Sequence, residues 1–382
     1  MNLPEYIELP EEILGHIFSF LPLSDRYTIS RVCHTWKNAV LAPALWSYTE
    51  ISCDFGDKNE ECIQWIFTHS LARIKHLKIL CDQSQDCNRK NVTRILNSIA
   101  EKENKLEGLC IVCCGEHPYF YSGQDILQSI KNLCQSVPEC NFFTLKHIDF
   151  RFLPFTLDDD LIKLIADGCP NLKSLFINNG TLVCKVSPEI IKEVVRACPQ
   201  LSALGVFYAS LSEDVFMELL STERADLRYL NLFCNRLNKY MMNFSESLWE
   251  SLRKRHPLLS VDLVLDHTLP ARKIPRILQP NIPISSLELN TFTYMIDQIM
   301  FVSTNYNRTL KRLVLQTTSS DKLNSALVDL AKRCSLLEEI HCYCVVSPFV
   351  VHTFLSYCPK LKQYTLKITK EVAPWQPIKI SH

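Results

Sequence analysis

One pattern constrains this chain more than any other. L-x-x-L-x-L, with an apolar or cysteine side chain in each of its three slots, recurs eleven times between residues 74 and 366. It reads Ile74-Leu77-Ile79, Leu106-Leu109-Ile111, Leu145-Ile148-Phe150, Leu172-Leu175-Ile177, Leu201-Leu204-Val206 and Leu227-Leu230-Leu232. It continues as Leu258-Val261-Leu263, Ile284-Leu287-Leu289, Leu310-Leu313-Leu315, Leu337-Ile340-Cys342 and Leu361-Tyr364-Leu366. Successive first slots stand 32, 39, 27, 29, 26, 31, 26, 26, 27 and 24 residues apart. A single triplet would be noise in a leucine-rich chain; eleven at such steps are a repeat. The last two slots are two residues apart, the spacing of one face of a β-strand.

Helices are expected between the strands. Ser320-Asp321 opens a segment with Leu323, Ala326, Leu327, Leu330, Ala331 and Cys334 at i, i+3, i+4, i+7, i+8 and i+11. Ser347-Pro348 opens one with Val351, Phe354, Leu355 and Cys358, and Ser187-Pro188-Glu189 one with Ile191, Val194, Val195 and Cys198. Serine as N-cap with proline at the first helical position is a helix start with a physical cause. Each unit is one helix, a turn and one short strand, and none can bury its apolar face alone, so units must stack. The chain resembles the cysteine-containing type of leucine-rich repeat, most strongly from 145 to 366 and less regularly from 49 to 144. That resemblance implies an α/β horseshoe, parallel strands on the concave side and helices on the convex side.

Residues 3–48 carry no triplet and are expected to be a separate helical unit, with the solenoid and its C-terminal tail running from 49 to 382. Ile13, Leu14, Ile17, Phe18 and Leu21 form one helix stripe that Pro22 ends. Ile29, Val32, Cys33, Trp36 and Val40 form a second. A unit of this size buries little by itself and should lean on the solenoid or on a partner.

The order Leu9-Pro10-Glu11-Glu12, Leu21-Pro22 with Asp25, Val32-Cys33-x-x-Trp36 and Pro43-x-Leu45-Trp46 resembles an F-box. Together with the repeats it identifies the chain as similar to the F-box and leucine-rich-repeat protein family. The stretches FTLDDDLIKLIADGCPNLKSLFINNGTLV, HCYCVVS and YCPKLKQYTLKITKE are similar to one branch of it, over roughly residues 9–377. The resemblance implies a substrate receptor of an SCF-type ubiquitin ligase. The F-box would bind a Skp adaptor and, through it, a cullin scaffold and a RING subunit. Carried over position by position, the adaptor contacts are Leu9, Pro10, Ile13, Leu14, Ile17, Leu21, Pro22, Val32 and Trp36. The bland reading is that these stripes only close a small core; the same residues could also act in an F-box protein that scaffolds or inhibits without a ligase.

Composition narrows the rest. Lys+Arg and Asp+Glu are 41 each, so the net charge is zero and the basic excess that suits nucleic acid is missing. None of the 8 glycines falls in a phosphate-cradling GxGxxG or P-loop pattern. No apolar run reaches membrane-spanning length, and the opening MNLPEYIELPEE is acidic where a signal peptide would be basic. The expectation is an intracellular protein, cytoplasmic or nuclear, with its 18 cysteines as thiols.

Catalytic and metal readings are weak. The one C-x-x-C, Cys110 to Cys113 with His117 nearby, has no second pair to complete a zinc site. Asp158-Asp159-Asp160 sits at a helix start, where acids complement the macrodipole. A non-catalytic protein with no cofactor and no metal is expected. In each triplet the last two slots point inward, so their neighbours face outward. That assigns Ser174, Phe176, Asn178, Phe207, Tyr229, Asn231, Phe233, Glu288, His341 and Tyr343 to an open face for a protein substrate. Phe176, Phe207 and Phe233 are expected to line up as an exposed aromatic stripe, unless the tail around Trp375 covers it.

Overall fold

The computed structural model describes residues 9–53, 60–101, 105–116, 123–135, 144–181, 183–236 and 244–368. It divides into two compact units, Met1–Leu204 with Ser221–Ala225, and Gly205–Leu220 with Asp226–His382.

The first unit opens with four short helices, α1 (Glu11–Ser19), α2 (Leu23–Ile29), α3 (His34–Val40) and α4 (Pro43–Trp46). Both Leu-Pro pairs start a helix: the Pro10 carbonyl accepts from the Ile13 and Leu14 amides, and the Pro22 carbonyl from those of Asp25 and Arg26. Proline's fixed φ and missing N–H suit it to this place. The stripe from Ile29 to Val40 is broken, not continuous. Cys33 is extended (φ −157°) and its sulfur accepts from the Trp36 amide, so it caps a new helix. Leu14, Phe18, Val40, Leu45 and Trp46 close the small core, and the Trp46 indole donates to the Val40 carbonyl at 2.7 Å.

Strand and helix then alternate: β1 (Tyr48–Ser52), α5 (Glu60–His69), β2 (His76–Cys81), α6 (Asp86–Ala100), β3 (Gly108–Cys113), α7 (Gln124–Gln135), β4 (His147–Asp149), α8 (Asp159–Gly168), β5 (Ser174–Phe176) and α9 (Pro188–Ala197). β1 to β5 pair in chain order and parallel. The helical unit rests on the first repeat through Trp65 of α5, whose ring lies 5.8 Å from both Tyr27 and Trp46. The Tyr27 hydroxyl donates to Glu61 at 3.0 Å, and Ser47 and Lys75 begin the hydrogen-bond ladder between β1 and β2.

Past β6 (Ala203–Phe207), the second unit continues with α10 (Glu213–Leu219), β7 (Tyr229–Cys234), α11 (Glu246–Arg255), β8 (Ser260–Leu265), α12 (Ile274–Ile277), β9 (Ile284–Leu289), α13 (Ile296–Asn305), β10 (Arg312–Leu315), α14 (Asp321–Arg333), β11 (Glu339–Val345), α15 (Pro348–Tyr357) and β12 (Gln363–Lys367). β7 to β12 are again parallel and in chain order. The inward slots of the first ten triplets are buried, as the repeat requires. Tyr364 and Leu366 of the eleventh are not, since β12 is an edge with no described element beyond it.

Two assignments shift by one residue. Leu258 is 75% exposed and Leu259 takes its slot, just ahead of a register shift between β8 and β9 at Val261/Asp262. In α15 the buried stripe is Val350, Thr353 and Phe354, so Val351 and Leu355 turn outward. Cys169, Cys198, Cys334 and Cys358, each the residue after a helix, are buried as expected. Burial pushes the Cys198 and Cys358 thiols up to about 11 and Cys334 to about 12, so all three stay protonated.

Candidate functional site

The first candidate surface is on α1. Its apolar stripe is wider than the core it serves. Leu14 and Phe18 point in, while Ile13 and Ile17, also four residues apart, stand 49% and 45% exposed. Leu14 therefore belongs to the core, not to the outer face assigned to it from sequence. Leu9, Pro10, Pro22 and Val32 are exposed, Leu21 is intermediate, and Trp36 is half-buried edge-on to Phe18 at 5.4 Å. Trp36 props the helix from behind. Phe20, 76% exposed beyond the end of α1, was absent from the sequence-derived set. It sits edge-on to His16 at 5.2 Å. Its signal was in the spacing: Ile13, Ile17 and Phe20 stand at i, i+4 and i+7, one face of a helix. An apolar row this open on so small a unit is what a helix presents to a groove.

The second surface is the outward face of the strands. In the first unit it carries one row, Tyr48, His76, Gly108, His147 and Ser174, in register across β1 to β5. A second row, Glu50, Lys78, Cys110, Asp149 and Phe176, runs beside it. Together, except Glu50, these residues line a depression of about 190 Å³. The Ser174 hydroxyl meets His147 Nδ1 at 2.9 Å, and Phe176 lies under the Arg151 guanidinium, 4.4 Å from its ring centre. Asn178 is buried: β5 ends at Phe176, so strand alternation no longer applies to it.

In the second unit the expected aromatic row does not form. Phe207 is 2% exposed, because Phe233 packs edge-on against it at 5.8 Å. Phe233 is intermediate. Asn231 is buried and donates to the Tyr229 hydroxyl, which in turn donates to Asp262. Glu288 pairs with Arg312, which also reaches Glu339 at 3.1 Å. His341 is held by Thr365 at 3.0 Å, and Tyr343 is exposed. The surviving surface is thus polar and cross-linked by hydrogen bonds. Trp375 and the tail around it lie outside the described residues.

Cys110 and Cys113 are three apart on β3 and so face opposite ways. Burial lifts them to about 11 and about 12, and His117 lies outside the described residues. Cys342 Sγ lies 3.4 Å from Cys344 Sγ, and this hydrogen bond, with burial, pushes the Cys342 thiol far up. Asp158 caps α8 by accepting from the Leu161 amide at 2.9 Å, as its position suggested. Among the described residues no group of three or more His, Cys, Asp or Glu side chains could hold a metal ion, and no helix is long and apolar enough to cross a membrane.

Comparison with known proteins agrees with this layout. A family model described as F-box-like matches residues 7–50. F-box/LRR-repeat protein 8 of Homo sapiens is 38% identical over 370 residues, covering 97% of both chains, and that of Mus musculus is 38% identical over the same share. F-box/LRR-repeat protein 12 of Homo sapiens is 48% identical over 46 residues, 12% of this chain and 14% of that one. Two chains that share more than a third of their residues along nearly their whole lengths share a fold and a descent. This chain belongs to the F-box/leucine-rich-repeat protein family, alongside F-box/LRR-repeat protein 8.

Proposed function

We propose that this chain is the substrate-recognition subunit of an SCF-type ubiquitin ligase. It works inside the cell, binding a Skp adaptor through its helical unit and a target protein through its repeats. One observation carries the reading: α1 buries Leu14 and Phe18 and leaves Ile13, Ile17 and, just past its end, Phe20 open, with Leu9 and Val32 exposed as well. Full burial of side chains of this size is worth about 1.5–3 kcal/mol each before association costs are subtracted. A handful of them, centred on one helix, is enough for a stable contact. In this reading the chain contributes no reacting group. It raises the effective concentration of a target lysine near the charged conjugating enzyme.

Co-purification with adaptor and cullin tests the proposal. The double substitution Ile13→Asp/Ile17→Asp places charge on the outer face and leaves Leu14 and Phe18 in place. Both partners should be lost while the chain's thermal midpoint holds. Undiminished binding by the double variant would sink the assignment.

A further inference from the structure

The depression on β1 to β5 has a chemistry of its own. Gly108 sits in the outward row between His76 and His147, and without a side chain there the two imidazoles approach to 6.0 Å between ring centres. A Cβ at Gly108 would meet His76 Nδ1 at 2.4 Å, so the gap and the His76 ring position depend on each other. Tyr48 flanks His76 at 6.5 Å on the other side.

The charged groups around the pair are largely spent on one another. Lys78 pairs with Glu50 at 2.8 Å and Arg151 with Asp149 at 2.7 Å. Along the rim, in the position before each strand, stand Lys75, Glu107, Lys146 and Lys173. Glu107 is taken by Lys146 at 2.8 Å, which holds its carboxyl below the usual range. Lys75 also acts electrostatically on Glu107, while Lys173 forms no ion pair among the described residues. Burial first, then His76, Lys173 and Lys146, lower the pKa of His147. The site therefore offers two imidazoles on a rim with net positive charge, with Tyr48 and Phe176 as its apolar side chains; Leu77, Leu109 and Ile148 beneath it are buried in the core.

We propose that this face docks an acidic peptide segment of the target protein, an Asp or Glu carboxylate bridging His76 and His147 while a neighbouring apolar side chain packs against Tyr48. The inference rests on the receptor reading above and gives its target side a chemical class. His147 Nδ1 is committed to Ser174, which leaves Nε2 for the carboxylate. Electrostatic complementarity from Lys75 and Lys173 supplies encounter rate and salt dependence more than affinity. A carboxylate between the imidazoles favours their charged form, so binding takes up protons. Affinity then rises as pH falls through the imidazole range. The other titratable and charged groups around the pair are Tyr48, Glu50, Lys75, Lys78, Glu107, Cys110, Lys146, Asp149, Arg151 and Lys173.

The test screens the full-length chain against a random peptide library displayed on phage, then measures binding of a synthetic peptide of the enriched sequence. Enriched sequences should place Asp or Glu within about two residues of a leucine, methionine or aromatic side chain. The synthetic peptide should bind His76→Ser/His147→Ser at least tenfold more weakly, lose affinity likewise to Gly108→Ala, and tighten several-fold between about pH 7.5 and about pH 6. Both variants should keep the parent's thermal midpoint and adaptor co-purification. Enrichment without acidic residues, or binding indifferent to the His pair, overturns the proposal. A more than tenfold gain on replacing Glu by phosphoserine overturns it in favour of a phosphopeptide. The adaptor-face variant Ile13→Asp/Ile17→Asp should bind the peptide normally, so failure of the ligase reading and failure of this one are separable.

Discussion

Arg26 holds the helical unit together in a way its sequence context hides. Within LSDRYTI it reads as an ordinary surface charge on a helix. In the structure it is almost fully buried, and its guanidinium donates to the carbonyls of Ser19 at 2.9 Å, Leu21 at 3.0 Å and Leu45 at 3.3 Å. Those carbonyls lie at or just past the ends of α1 and within α4, where helices leave acceptors unpaired. The guanidinium also lies 5.6 Å from the Trp46 ring centre, and burial lowers its pKa. Arg26→Met keeps the stem and removes the donors. It should cost about 2–4 kcal/mol, seen as a lower thermal midpoint, with adaptor binding weakened because the turn at Phe20 is released. An unchanged midpoint would refute the role. The same limit on reading explains Leu14: a stripe shows that a helix has an apolar side, but only the neighbouring helix decides which edge of it is covered.

Helix starts were the most legible elements, because an N-cap is a local device. Ser187, Ser320 and Ser347 each accept from the amide three residues on, at 3.3, 3.1 and 3.4 Å, and Ser212 and Ser245 do the same. Ser320→Ala at the head of α14 should cost about 1 kcal/mol in urea unfolding, with the slope of the transition unchanged. A loss below about 0.3 kcal/mol would mean that packing against α13 and α15 already fixes that end. Legibility fell where an element's identity depends on something distant. The break between α2 and α3 hides inside an unbroken apolar spacing, and the α15 stripe slipped by one because Thr353, polar in sequence, is buried. Phe207 was lost for the same reason: alternation along β6 is local, but the ring of Phe233 that covers it comes from the next strand.

For the chain as a whole, eleven of the twelve described strands were readable because the pattern recurs; β1, which carries no triplet, was not. Nor was it readable how the helical unit joins the first repeat, since Trp65 on α5 belongs to no triplet. Its ring fills the space between Tyr27 and Trp46. Removing residues 1–47 should therefore lose more than adaptor binding: α5 should lose hydrogen-exchange protection and the shortened chain should aggregate. Point substitutions on α1 are the better tool for separating the two surfaces. If the truncated chain keeps α5 protected, Trp65 is not part of a shared core.

Within each unit, strand order equal to chain order also shapes the path of assembly. From one triplet to the next, closing a rung ties off a loop of only 24 to 39 residues, never one spanning the sequence. Closure entropy grows with the logarithm of loop length, so those rungs differ by well under about 1 kcal/mol in that cost. No distant contact has to form before the rest can follow. Folding should be able to start at several neighbouring pairs and spread along the chain, as in a linear lattice with nearest-neighbour coupling. Opening should begin at β12, whose Tyr364 and Leu366 are only partly covered, and exchange of its amides should lead that of β11.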